Sequence, residues 1–434
     1  MTTAETTRHP DSAHEDSNQH HDFQHDGRPS GGAFAALAGR GYRIYITGQS
    51  LASTGAWMQS IAQDWLIFSL THSSTAVGVT MALQFGPILL LGLHAGAVAD
   101  RVSKRRILLA TQLLNATAAC ALAVVTIAGA VRPADVYAFA LVAGMIFAFD
   151  SPARQAFVTE VVPPARLRAA ISMNAAVFQA TRLVGPAIAS AVIVSAGPGW
   201  VFALNAACYV GPTAGLLLLR PQDLQPREPA ARAKGALRAA ARYVGQRPDV
   251  LWTIFLVGVV GTFGLNFPIV LTAMAQSAFH GSASTYGLFN IVLAVGSCAG
   301  ALLAGAASRP RPRVILAGAA GFGLAQLAAA LMPGMPAFLL ALVVMGFVNL
   351  LFQAMANAFV QLSVEPELRG RVMGLYMLVF MGGTPLGAPL IGAITSHFGA
   401  RAGMATCGLV PALAVVVAVA AMARRPRRAL EGIA

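Results

Sequence analysis

Twelve long apolar blocks take up most of this 434-residue chain, and no water-excluding globular core could absorb them. They fall at 43–69, 77–99, 106–130, 134–156, 168–195, 199–219, 250–274, 284–307, 314–332, 336–360, 370–395 and 401–423. A helix of about twenty residues crosses the hydrocarbon of a bilayer, and each block is near or above that length. The breaks at 71–76, 131–133, 197–198, 277–283 and 333–335 are short. The ten-residue alternating segments of a β-barrel are missing from the pattern. The chain is 56% hydrophobic and 11% charged, where a soluble domain carries about 25% charge. The expected fold is an all-α membrane protein with twelve transmembrane helices, their glycines and alanines permitting close helix contact.

The basic residues fix the orientation. If residue 1 is cytoplasmic, 27 of the 30 lysines and arginines fall in the tails and inner loops. Arg132 and Arg401 fall on the other side, and Arg182 falls within a span. The positive-inside rule predicts this asymmetry, so both termini are expected in the cytoplasm of a cell-membrane protein. A net charge of +13 would suggest nucleic acid in a soluble protein. Here the charge reads as topology, and no nucleic-acid partner is expected. Residues 1–41 hold five of the nine histidines and six of the seventeen acids. They lack the apolar content to fold and the apolar core of a signal peptide. The expectation is a disordered cytoplasmic tail, with metal binding by its histidines as the alternative. Cys120, Cys208, Cys298 and Cys407 sit in four separate apolar blocks, which suggests neither a zinc site nor a disulfide framework. No nucleotide loop, metal-ligand spacing or sizeable soluble domain points to an enzyme or a receptor, and no cofactor is expected.

The long inner loop 220–249 divides the spans six and six. The expected organisation is a tail (1–41), a first six-helix bundle (42–219), a cytoplasmic linker (220–249), a second bundle (250–423) and a basic tail (424–434). Within the linker, 236–244 is a basic amphipathic stretch suited to the membrane surface. The halves echo each other. Phe157-Val158, Pro164, Leu167-Arg168 and Gly185 recur as Phe359-Val360, Pro366, Leu368-Arg369 and Gly387, offset by 201 or 202 positions. Paired six-helix repeats are a transporter architecture with substrate held at the interface near the midplane.

The first inner loop reads Gly96-Ala-Val-Ala-Asp100-Arg101-Val-Ser-Lys104-Arg105-Arg106. It resembles the loop 2–3 signature of the major facilitator superfamily, with Ser103 where that signature has a second glycine. Trp57-Met58-Gln59 with Gln63-Asp64-Trp65, Asp150-Ser-Pro152-Ala-Arg154-Gln155, Gly261 to Pro268, and Arg369-Gly-Arg371-Val-Met373 resemble its drug- and siderophore-efflux branch. Gly185-Pro186 is similar to the antiporter signature, although Thr181, Ala189 and Ser190 replace its glycines. The resemblance covers 42–423. It implies two pseudo-symmetric six-helix bundles and proton-coupled export of small amphipathic molecules such as drugs, siderophores or secondary metabolites. A proton-coupled nutrient importer on the same fold is the alternative. It also implies gating roles for Gly96, Asp100, Arg101, Lys104, Arg105, Asp150 and Arg154, and helix-packing roles for Gly185 and Pro186. A monomer is expected.

A carboxylate inside a membrane is costly unless paired or wet. Asp64, toward the outer third of span one, is therefore either a proton carrier exchanged against substrate or one half of a structural pair. Arg182, near the middle of span five, needs a partner for the same reason: Asp64, an anionic substrate, or a helix-bracing group. Polar residues four apart share a helix face. Gln59 and Gln63 do so on span one, Phe178 and Arg182 on span five, and Gln353 and Asn357 on span ten. With Asn266 of span seven they are candidates to line a substrate cavity, the alternative being amide bonds that hold helices together. No metal site is expected.

Overall fold

A computed structural model describes residues 33–220, 222, 224, 236–306 and 310–423. The tail 1–32, most of the linker with Lys234, Arg309 and the tail 424–434 lie outside the described residues. A 3₁₀ turn (Ala33–Ala38) leads into α1 (Arg40–Thr71), α2 (Ser74–Arg101), α3 (Lys104–Ile127), α4 (Pro133–Val161) and α5 (Leu167–Ala196). The sixth span joins α6 (Pro198–Cys208) to α7 (Val210–Leu218), and α8 (Ala236–Gln246) is the amphipathic linker helix. The seventh runs through α9 (Pro248–Val259), a π-turn (Val260–Gly264), α10 (Phe267–Ala273) and a second π-turn (Met274–Ala278). α11 (Ala283–Ala306), α12 (Pro312–Leu331) and α13 (Met335–Ser363) follow. The eleventh span is α14 (Pro366–Gly382) with α15 (Thr384–Phe398), and the twelfth is α16 (Ala400–Ala423). No strand occurs among the described residues.

Eleven stretches are long and apolar enough to cross a bilayer. α1 is the twelfth helix by its 32 residues and by its packing against α2, α5, α6 and α7. Eight polar side chains between Gln49 and Asp64 keep it out of the apolar set. The least apolar span is thus the one that carries the strongest site candidates.

Consecutive spans run up and down. Arg40, Arg101, Arg166, Arg247, Arg313 and Arg369 therefore share one end of the bundle, called here the basic end. Of the two arginines at the other end, Arg401 donates to the carbonyls of Ala330 (2.9 Å) and Met332 (2.7 Å), which close α12. Arg132 is the N-cap of α4, its backbone N–H bonded to Asp135 at 2.8 Å. α8 packs against α9 and α14, burying Ala240 and Val244 and exposing Arg238 and Arg242.

The sequence echo is repeated in backbone and contacts. Gly197 and Gly399, 202 positions apart, precede α6 and α16 at φ 90° and 89°, a region that only glycine enters freely. A Cβ on Gly185 would strike Trp57 of α1, and one on Gly387 would strike Thr262 in the seventh span. Likewise Gly144 lies against the Gln84 carbonyl, and Gly346 against the Leu293 carbonyl. The first six spans pack mainly among themselves, as do the last six.

The groups meet through α2 against α15 and α5 against α11. Gly78 abuts the backbone of Ala388 and Pro389, and Gly287 abuts Ser190 and Pro186. The cross-group hydrogen bonds among the described residues all lie in the half away from the basic end. Thr75 donates to Ser396 Oγ from its backbone N–H (3.0 Å) and its hydroxyl (3.1 Å), and Tyr286 donates to Asp64. Toward the basic end, Phe178 on α5 is 50% exposed and Leu302 on α11 is 76% exposed.

Candidate functional site

Asp64 is buried on α1, and its Oδ2 accepts the Tyr286 hydroxyl at 3.0 Å. Tyr286 is fully buried near the start of α11. The pair therefore joins the two groups at the end away from the basic loops. No ion pair to Asp64 occurs among the described residues, where Lys104–Glu160, Arg154–Asp150 and Arg247–Asp249 are paired. Of the alternatives open to Arg182, a pair with Asp64 does not occur among the described residues. Sequence reasoning misses Tyr286, because nothing in its neighbourhood in sequence relates it to a residue 222 positions away.

Arg182 stands instead over the Trp57 ring, its guanidinium carbon 5.6 Å from the centroid. Trp57 precedes Asp64 by seven residues, about 10 Å along the axis. Phe178, one turn from Arg182 on α5, meets Trp57 edge to face with ring centres 5.6 Å apart. Gly185 allows this approach, since any side chain there would press on the Trp57 Cβ. Gly185 lies against α1 and the Pro186 carbonyl against Gly287 of α11.

The charges toward the basic end form three ties inside the first group. Asp150 accepts from Thr111 Oγ1 (2.7 Å), Gln112 Nε2 (3.4 Å) and Arg154 Nε (2.7 Å), while Arg154 Nη1 reaches Gln49 of α1. Lys104 pairs with Glu160 at 3.2 Å, and Arg105 donates to the Leu217 carbonyl at 3.1 Å. Gly96 is buried and Arg101 exposed; the Asp100 side chain lies outside the described residues. Asp150 is thus a buried carboxylate bonded from α3 and from its own helix α4, with α1 reached through Arg154. Leaving one charge of a buried pair uncompensated costs about 3–5 kcal/mol. Arg154→Ala is therefore expected to lower the thermal midpoint of the detergent-purified protein, with Asp150→Asn/Arg154→Ala losing less. Melting both variants beside the parent checks this.

The amide candidates divide. Gln59 bonds Asn205 of α6, a tie within the first group, and Gln63 is buried beside Asp64. Asn266 is fully buried where the seventh span breaks, donating to the carbonyls of Thr262 (2.9 Å) and Phe263 (3.0 Å). Gln326 of α12 repairs the same break by donating to the Gly264 carbonyl at 2.9 Å, as backbone freed at membrane depth requires. Gln353 donates to Asn349 (2.8 Å), and Asn357 accepts from Gln361 (2.6 Å). Gln353 and Asn357 remain half-buried on one side of α13. No group of three or more His, Cys, Asp or Glu suited to a metal occurs among the described residues.

Comparison with known proteins agrees with this architecture. The model of the transmembrane secretion effector family matches residues 31–432. The multidrug efflux pump Tap of Mycolicibacterium fortuitum is 27% identical over 382 residues, 85% of this chain and 92% of that one. The enterobactin exporter EntS of Salmonella typhimurium is 25% identical over 355 residues, 81% of this chain and 85% of that one. Among solved structures, an inward-facing bacterial homologue of the lysosomal transporter Spinster superposes with a TM-score of 0.68 at 14% identity, covering 88% of this chain and 96% of that one. Twelve helices in two pseudo-symmetric groups, a polar first span and this match across nearly the whole chain lead to one conclusion: the protein belongs to the transmembrane secretion effector family of major facilitator transporters.

Proposed function

We propose that the protein exports small amphipathic molecules across the cell membrane by alternating access, each cycle exchanging cargo for a proton carried on Asp64. The carrying observation is the Asp64–Tyr286 bond between α1 and α11. A hydrogen bond to an ionised acceptor is roughly twice as strong as a neutral one, so an anionic Asp64 holds the end away from the basic loops shut. Opening that end parts the pair and brings the carboxylate to the far face, where it takes up a proton. Neutral, it returns to the membrane interior at lower cost. Passing the proton into the cleft on the basic side restores the anion for Tyr286. The efflux pumps among the relatives support the outward direction, and the basic loops support cytoplasmic termini. One chain holds both groups, so a monomer suffices.

The test is extrusion of carboxyfluorescein, loaded as its neutral diacetate, from pump-deficient bacteria carrying the full chain. Faster loss than in empty-vector cells, abolished by a protonophore, is the expected result. Loss indifferent to the protonophore contradicts proton coupling, and raised accumulation contradicts export.

A further inference from the structure

We propose that Arg182, Trp57 and Phe178 form the cargo-recognition site, and that it selects amphipathic molecules bearing an anionic group beside a flat aromatic ring. This rests on reading the cleft between the two groups as the path of cargo. Arg182 is the sixteenth of the thirty residues of α5, at the depth where a lone arginine is most expensive. No acid whose side chain is described pairs with it. Asp64 holds Tyr286, Asp150 holds Arg154, Glu160 holds Lys104, Asp249 holds Arg247 and Asp135 caps α4; Glu365 is the N-cap of α14, at the basic end.

Arg182 lies on the side of α5 turned toward the second group. It lies one and two turns toward the basic end from Pro186 and Ser190, which touch Gly287 of α11. Cys298, farther along α11, is within its electrostatic reach. Arg182 itself is half-buried. Its guanidinium carbon stands 5.6 Å from the Trp57 centroid, and among the described residues its N–H groups have no hydrogen-bond or ion-pair partner, which leaves them for a carboxylate, sulfonate or phosphate. That geometry favours bidentate recognition. One turn away on α5, the buried Gln179 Nε2 has no hydrogen-bond partner and supplies a second donor of the kind an anion needs. Phe178, 50% exposed and edge-on to Trp57, offers the apolar wall for a ring.

The experiment compares two ligands that share a ring and differ in charge. 1-Pyrenebutyrate and 1-pyrenebutanol are titrated into the full chain in zwitterionic-lipid nanodiscs, with energy transfer from tryptophan to pyrene as the readout. The expected result is binding of the anion about tenfold or more tighter than the alcohol, the range of a hydrogen bond to a charged group. Arg182→Gln is expected to bring that ratio near one while keeping alcohol binding. Arg182→Lys, which retains charge without the planar fork, is expected to give an intermediate ratio and serves if the glutamine variant fails to fold. Equal binding of both probes by the parent protein, binding of neither, or a ratio unchanged in the lysine and glutamine variants overturns the assignment. Because binding is read at equilibrium without a gradient, such failure leaves proton-driven export standing. Failure of the export assay in cells would in turn leave the anion preference, read at equilibrium, intact.

Discussion

Asp64→Asn is expected to abolish gradient-driven export, reducing it by about tenfold or more while the protein still reaches the membrane. Asparagine keeps the shape and an oxygen for the Tyr286 hydroxyl, so the loss reports the missing proton rather than a broken helix contact. The neutral side chain removes the buried charge, and with it the energy that links protonation to the position of α1 against α11. Passive exchange of labelled for unlabelled cargo across the variant, which needs no proton, is expected to persist. Tyr286→Phe isolates the other half of the pair. It removes a bond to a charged acceptor worth about 1.5–3 kcal/mol and biases the protein toward the state open at that end. Export is expected to become weaker and less tightly coupled, not absent. The check is carboxyfluorescein extrusion and counterflow in the same membranes, with surface expression measured alongside. Full export by Asp64→Asn would remove that residue from the mechanism.

Much of this architecture was legible because a bilayer imposes two coarse rules, span length and the sidedness of arginine, and both survive uncertain helix ends. The first span illustrates the limit. Its polar residues weaken its apolar signature, yet α1 runs 40–71 against the expected 43–69. The interruptions of the seventh span at 260–264 and 274–278 were not visible. Pro268 and three glycines are compatible with a straight membrane helix, and the repair of the break depends on Gln326 from another span. The site was half legible for a related reason. Spacing along one helix identifies Asp150 with Arg154, or Phe178 with Arg182, as neighbours. It cannot show that Thr111, Gln49, Trp57 and Tyr286 complete those sets, because they arrive from other helices. Nor does an amide in a sequence reveal what it will bond. Gln59 and Asn266 bond inside a helical group, whereas Gln353 keeps a partly open position.

The central claim is that cargo moves because the two six-helix groups separate at the end now held shut. Thr75 and Ser396 report on that end, their hydroxyls 3.1 Å apart between α2 and α15. That approach brings paired cysteines within disulfide reach. The measurement is carboxyfluorescein export by Thr75→Cys/Ser396→Cys before oxidation, after it, and after reduction. Export is expected to match the parent in the reduced protein, to fall to the empty-membrane level once the bridge forms, and to return with reductant, while each single-cysteine variant stays unaffected. Full export by the bridged protein would contradict the account, because cargo would then be crossing without that end ever opening.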